Sequence, residues 1–95
     1  MSLTKDDIVK AVAQENGIPI NQTVELVETF LEIIKSTLES GEDVLVSGFG
    51  KFCVKEKHER RGRNPATGES MMMKARRVVT FKWSGRLRDK INQSQ

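Results

Sequence analysis

Lys55, Lys57, Arg60, Arg61, Arg63, Lys74, Arg76 and Arg77 crowd into one stretch of this chain, opposed there only by Glu56, Glu59 and Glu69. Cations this close together repel one another unless something anionic lies against them, and phosphate is the group they suit best. Those nearest the middle of the stretch are arginine, whose planar fork fits phosphate oxygens and narrow minor grooves better than lysine does. The segment Glu59-Arg60-Arg61-Gly62-Arg63-Asn64-Pro65-Ala66-Thr67-Gly68-Glu69 holds no core-forming residue. Its glycines, Asn64 and Pro65 are turn chemistry. A solvated sheet edge defended by lysine is the plainest account of such charge. Concentration of the cations on one predicted face, continuous with the turn, favours a ligand instead. Pro65 needs no function as a turn former. At the tip of a cationic arm, however, its rigid apolar ring is a wedge that enters between base pairs without losing side-chain entropy.

No other group of residues has the spacing of a catalytic or metal site. His58, the one histidine, has no nucleophile or metal partner at ligand spacing and reads as a solvated strand residue. Cys53, the one cysteine, cannot form a disulfide within the chain, and no CxxC accompanies it. The glycines form neither a P-loop nor a dinucleotide fingerprint. The expectation is a protein with no catalytic residue, metal, cofactor or small-molecule substrate. No apolar run approaches the roughly 18 residues of a membrane span. The first seven residues lack the apolar core of a signal peptide. A cytoplasmic protein with no membrane partner is expected. Met71-Met72-Met73 is expected to pack on the arm's own surface or against a partner arm, and Trp83 to serve core or interface.

The elements that must carry these residues can be read from capping and periodicity. Thr4 is a good N-cap, with Asp7 three residues on as in a capping box and Leu3 and Ile8 at staple positions. Ile8, Ala11 and Val12 form a short stripe, and Gly17 stops the helix. Pro19 suits a second helix start. From about Asn21 to Ser40, Val24, Val27, Phe30, Leu31, Ile34 and Leu38 recur at spacings of three and four, with Leu26 and Ile33 widening the stripe. Gly41 ends that helix. A short strand over residues 43–47 and a turn at Gly48-Phe49-Gly50 follow. The runs 51–58 and 74–82 alternate with period two, Phe52, Val54, Val79 and Phe81 on one face and Lys51, Cys53, Lys55, Lys57, Lys74, Arg76 and Lys82 on the other. Ser84 caps a last short helix with Leu87 and Ile91 one turn apart. The order is α-α-β-β-β-α.

The chain has 95 residues, 37% of them hydrophobic and 31% charged. One domain is expected, in three parts: dimerisation helices and first strand at 1–47, sheet and arm at 48–82, last helix at 83–95. Residues 1–50 carry three Lys against nine Asp and Glu, a balance of −6; residues 51–95 carry thirteen Lys and Arg against four, a balance of +9. An acidic half joined to a basic half presents the basic half to something anionic, nucleic acid before a membrane surface. A chain this short buries a modest core by itself. The broad stripe around Phe30 and Ile34 therefore belongs in a subunit interface.

Three strings gather these features: Gly48-Phe49-Gly50-Lys51-Phe52, Gly62-Arg63-Asn64-Pro65-Ala66-Thr67-Gly68-Glu69, and Ala75-Arg76-Arg77-Val78-Val79-Thr80-Phe81. With them the chain resembles the HU and integration host factor family of bacterial histone-like DNA-binding proteins over nearly its whole length, most of all its integration host factor alpha branch. The resemblance implies an α+β fold: two N-terminal helices, a three-stranded antiparallel sheet with a long protruding β-hairpin arm, and a short C-terminal helix, in an intertwined dimer. It implies a nucleoid-associated protein that binds double-stranded DNA in the minor groove and bends it, in recombination, transcription regulation and nucleoid compaction. The wedge mechanism is that family's own and is carried over from it.

In this sequence Pro65 would intercalate, with Arg60, Arg63 and Asn64 in or near the groove. Lys55, Lys57, Arg61, Lys74, Arg76, Lys82 and Arg86 would join the interface. Thr4 and Lys5, and Ser84 with Gly85, would meet phosphates, as helix N-termini do, and Ser47 with the Gly48 amide would do likewise. Arg61 stands where alpha subunits usually have proline, and the Met71-Met73 run and the Trp83-Ser84-Gly85 turn also depart from the family. An HU-like homodimer of low specificity and a protein-interaction module with an acidic partner are the alternatives. The partner subunit is a second copy or a related chain.

Overall fold

The computed structural model of the chain describes residues 1–93. The elements run α1 (Lys5–Asn16), α2 (Ile20–Glu39), β1 (Val44–Val46), β2 (Gly50–Lys57), β3 (Arg60–Arg63), β4 (Ser70–Met73), β5 (Arg76–Trp83) and α3 (Gly85–Asn92). The α+β class, the two leading helices, the antiparallel sheet and the closing helix follow the sequence. Two compact units part between Ser36 and Thr37, inside α2.

In the first unit the capping box closes with Asp in the place of the usual Glu. The Thr4 hydroxyl accepts from the Asp7 N–H at 3.2 Å, and the Asp7 carboxylate accepts from the Thr4 N–H at 3.0 Å. Gly17 ends α1 in the left-handed region at φ 63°, where a side chain is strained and glycine is not. Pro19 then seeds α2, its carbonyl accepting from both the N–H and the hydroxyl of Thr23, each at 3.0 Å. That double use lets Thr23 sit fully buried without an orphan polar atom. The core is small. Among the described residues only Val9, Ala13 and Val27 are buried hydrophobics, while Leu26, Phe30 and Ile33 on α2 stay more than half exposed.

In the second unit α2 ends at Gly41, φ 93°, with the Gly41 N–H on the Leu38 carbonyl and the Glu42 N–H on that of Thr37. This 5→2 and 6→1 pair is a Schellman closure. The sheet order is β1-β2-β5, all antiparallel. Directly paired residues share a face, so Val44, Phe52 and Phe81 line one side with Val54 and Val79, while Lys51 and Lys82 line the other. Phe52 and Phe81 meet with ring centroids 4.9 Å apart, and Phe49 closes on Phe81 at 5.1 Å. Gly50 lies beneath this aromatic group, since a Cβ there would stand 2.5 Å from the Phe81 ring.

β1 pairs only as far as Phe52. Beyond it β2 and β5 continue as a two-stranded ribbon, which is how the arm begins. The segment that the sequence offered as turn is shorter than expected. Residues 60–63 and 70–73 are strands, and Lys57 pairs with Arg76 as Arg60 does with Met73, three residues farther along each strand. The register therefore passes through residues 58–59 and 74–75 without an inserted residue. Backbone N–H and C=O groups sustain such a ladder whatever the side chains bury, and for that reason composition did not reveal β3 and β4.

Candidate nucleic-acid interface

The turn at the arm's end is built by its own side chains. The Asn64 N–H donates to the Glu69 carbonyl at 2.8 Å, and the Gly68 N–H to the Asn64 carbonyl at 2.7 Å. The Asn64 side-chain oxygen accepts from the Ala66 N–H at 2.9 Å, and the Thr67 hydroxyl from the Glu69 N–H. Gly68 supplies the left-handed residue, φ 73°. Asn64 thereby holds Pro65 exposed at the apex.

Behind the tip, the unbroken register sorts the cations. Lys55, Lys57 and Arg76 lie on the face opposite the aromatic side, with Lys51 and Lys82. Alternation continues that face through Lys74 to Arg61 and Arg63. Arg60 points the other way, beside Met73, so the arm's end is cationic on both faces. Among the described residues none of Lys55, Lys57, Arg60, Arg61, Arg63, Lys74 and Arg76 meets a carboxylate; the ion pairs lie elsewhere, at Lys5–Glu28, Lys10–Asp6, Lys35–Glu32, Lys51–Asp43, Arg77–Glu56 and Arg88–Asp89. Cations that outnumber the carboxylates along a narrow ribbon make a strong local positive potential.

Arg77 stands apart from the cluster in which its sequence position puts it. It shares the aromatic face, donates to the Glu39 carbonyl at 2.8 Å and pairs with Glu56 at 3.3 Å. It ties the root of the arm to the end of α2. Period-two parity already separates Arg77 from Arg76, and that was the available signal.

A second group forms at the sheet's other end. The Phe49 N–H closes a turn on the Val46 carbonyl, with Gly48 at φ 80°, the position where a type II turn needs glycine. The Ser84 N–H reaches the Phe49 carbonyl at 2.9 Å, and a Cβ on Gly48 would lie 3.8 Å from Arg86 Cδ. Ser47, Gly48, Ser84 and Arg86 are thus neighbours. The Ser84 hydroxyl caps α3 by accepting from the Leu87 N–H at 3.0 Å. The start of α1 is less open to an anion. Thr4 is engaged in its capping box, Lys5 pairs with Glu28 at 3.4 Å, and the Thr4 N–H holds the Asp7 carboxyl below the usual carboxylate range. Asp7 therefore keeps a negative charge on that helix end.

Among the described residues no His, Cys, Asp and Glu cluster of three could hold a metal, and no helix is long and apolar enough to cross a membrane.

Residues 3–92 match the family described as bacterial DNA-binding protein. The chain is 46% identical over 95 residues to integration host factor subunit alpha of Alteromonas mediterranea, covering 100% of this chain and 96% of that one. It is 48% identical over 91 residues to integration host factor subunit alpha of Aliivibrio fischeri strain MJ11, covering 96% and 93%. Among solved structures it resembles the HU chain of an Anabaena HU–DNA cocrystal, with a TM-score of 0.80 and 35% identity over 93% of this chain and 96% of that one.

Proposed function

The chain belongs to the family of bacterial DNA-binding proteins, and from that premise we propose that its β2–β5 arm lies along the minor groove and kinks duplex DNA by driving Pro65 between base pairs. Architectural DNA binding is its function; the wedge and the residues below are the proposal. The observation that carries it is the row of arm cations that meet no carboxylate among the described residues, ending in an exposed proline held out by Asn64.

The division of labour follows from the chemistry. Lys55, Lys57, Arg61, Arg63, Lys74 and Arg76 neutralise phosphates on one face of the ribbon, and Arg60 enters the groove from the other. Each neutralised phosphate releases a counterion, so binding weakens with salt by a slope of about 0.9 per contact. Ser47, Gly48, Lys82, Ser84 and Arg86 receive the flanking backbone once the duplex has bent toward them. Site preference comes from groove width and deformability, because minor-groove base edges tell A·T from G·C and little more.

The working unit is a dimer. The relatives are named as subunits, and Leu26, Phe30 and Ile33 form an apolar face that a single chain leaves exposed. The second subunit is another copy or a related chain. The protein works in the nucleoid, in the cytoplasm, where bending brings distant sites together and compacts DNA.

Pro65→Ala tests the wedge. Unstacking a base step costs on the order of a few kcal/mol, and a duplex nicked at the kink has already met part of that cost. The variant is expected to bend intact duplex less, by energy transfer between the DNA ends, and to lose less affinity for nicked than for intact DNA. Bending of intact duplex equal to the parent's would leave Pro65 a turn residue only.

A further inference from the structure

Met71, Met72 and Met73 form β4 with Ser70, and nothing in DNA gripping calls for them. Cross-strand pairing sets Met73 beside Arg60, Met72 beside Arg61 and Met71 beside Gly62. Met73 is accounted for by packing. Its thioether lies over Gly62, where a Cβ would stand 2.6 Å from the sulfur. Met71 and Met72 are 45% and 56% exposed. Both border an open groove of about 190 Å³ whose other walls are Arg61 and Ser70. As apolar bulk they would be no better than leucine there. Besides its flexibility, methionine differs from leucine in a sulfur lone pair that oxidants attack.

We propose that Met71 and Met72 are an oxidation site through which peroxide loosens the arm's hold on DNA. The inference rests on the reading of the arm as the DNA-binding element. In the step, the thioether sulfur attacks one oxygen of hydrogen peroxide, an S–O bond forms, the O–O bond breaks, and the second oxygen leaves as water after proton transfer. Sulfur is oxidised by two electrons and the peroxide is reduced by two. The sulfoxide oxygen is a strong acceptor with partial negative charge. Beside Arg61 it competes with phosphate for the guanidinium. Elsewhere on the ribbon it turns a partial negative charge toward the phosphates that flank the groove. DNA in the groove in turn shields both sulfurs, so the free protein is the form that reacts. Sulfoxide reduction restores the arm.

The test uses the full-length protein in its native assembly, treated with hydrogen peroxide with and without saturating duplex. Peptide mass spectrometry is expected to show one oxygen on each of Met71 and Met72 before Met73, and slower uptake when DNA is bound. Affinity for duplex is expected to fall about tenfold, the scale of one polar group left facing a surface without a partner. Met71→Leu/Met72→Leu is expected to keep its affinity through the same treatment. Cys53→Ser is expected to lose affinity as the parent does. Unchanged affinity of the parent with both sulfoxides formed overturns the inference, as does equal loss in the double leucine variant or immunity of Cys53→Ser. If the untreated parent fails to bind duplex, the reading of the arm falls first, and the inference with it.

Discussion

The arm's arginines are sorted by the face they take rather than by their closeness in sequence. Arg76 and Arg77 are adjacent, yet Arg76 faces Lys57 on the charged side while Arg77 is committed to Glu56 and the Glu39 carbonyl. Arg63, near the tip, has no acidic partner among the described residues. Arg63→Ala is therefore expected to lower both affinity and the salt slope, by about 0.9 for the lost phosphate contact. Arg77→Ala is expected to leave the slope unchanged and to lower the thermal midpoint; a filter-binding salt series with a melting curve distinguishes the two. At the start of α1, Thr4→Ala removes the cap on Asp7 and is expected to cost about 1 kcal/mol in denaturant unfolding. Asp7 adds a pH dependence whose sign is fixed. Its folded-state pKa is depressed, first by the Thr4 N–H bond, so its contribution is full above the ordinary carboxylate range and is lost as pH falls through the lowered value. The gap in thermal midpoint between the parent and Asp7→Ala is expected to narrow in acid.

At the scale of elements, the sheet and the arm tolerate change differently although one register runs through both. Gly50 faces Trp83, and a Cβ there would stand 2.5 Å from the Phe81 ring and 2.8 Å from the Lys82 carbonyl. A ring packed among Phe49 and Phe52, and a ladder carbonyl, cannot step aside cheaply. Gly50→Ala is expected to cost about 2 kcal/mol or more in chemical denaturation, as overpacking does. Gly62 in the arm meets only the flexible end of Met73. Gly62→Ala is expected to leave the unfolding midpoint nearly unchanged, because Met73 can swing away. The difference suits their roles. The sheet must hold the arm's root, while the arm beyond Phe52 has no third strand and contributes little to global stability.

For the whole molecule the decisive fact is how little a single chain buries. Val9, Ala13 and Val27 are the buried hydrophobics described, against exposed Leu26, Phe30, Ile33, Phe81 and Trp83. The chain is expected to sediment as a dimer at micromolar concentration, with a melting temperature that rises with protein concentration. Phe30→Glu is expected to abolish that concentration dependence and to give an unfolded or weakly folded monomer. A compact, stable monomer of the parent would remove the dimer from the proposal. A steep salt dependence of DNA binding belongs to this scale too, since a slope near zero would point to an acidic protein partner instead.

The local signals in the sequence were read by neighbours three or four residues away, and these determined much. Thr4 with Asp7, Gly17, Gly41 and Ser84 mark helix ends because each satisfies or permits a backbone group within one turn. Period-two alternation separated Phe52, Val54, Val79 and Phe81 from the lysines because a strand's faces follow from residue parity alone. Asn64, Pro65 and Gly68 declared a turn by conformational preference. The tertiary structure decided what depends on segments far apart. Pairing of β2 with β5 carried the ladder into β3 and β4, where no hydrophobic pattern announced it. The same pairing placed Arg77 over Glu56 and within reach of Glu39, and brought the Gly48 turn against Arg86. Register between distant strands is a property of the chain's closure, and no window of neighbouring residues contains it.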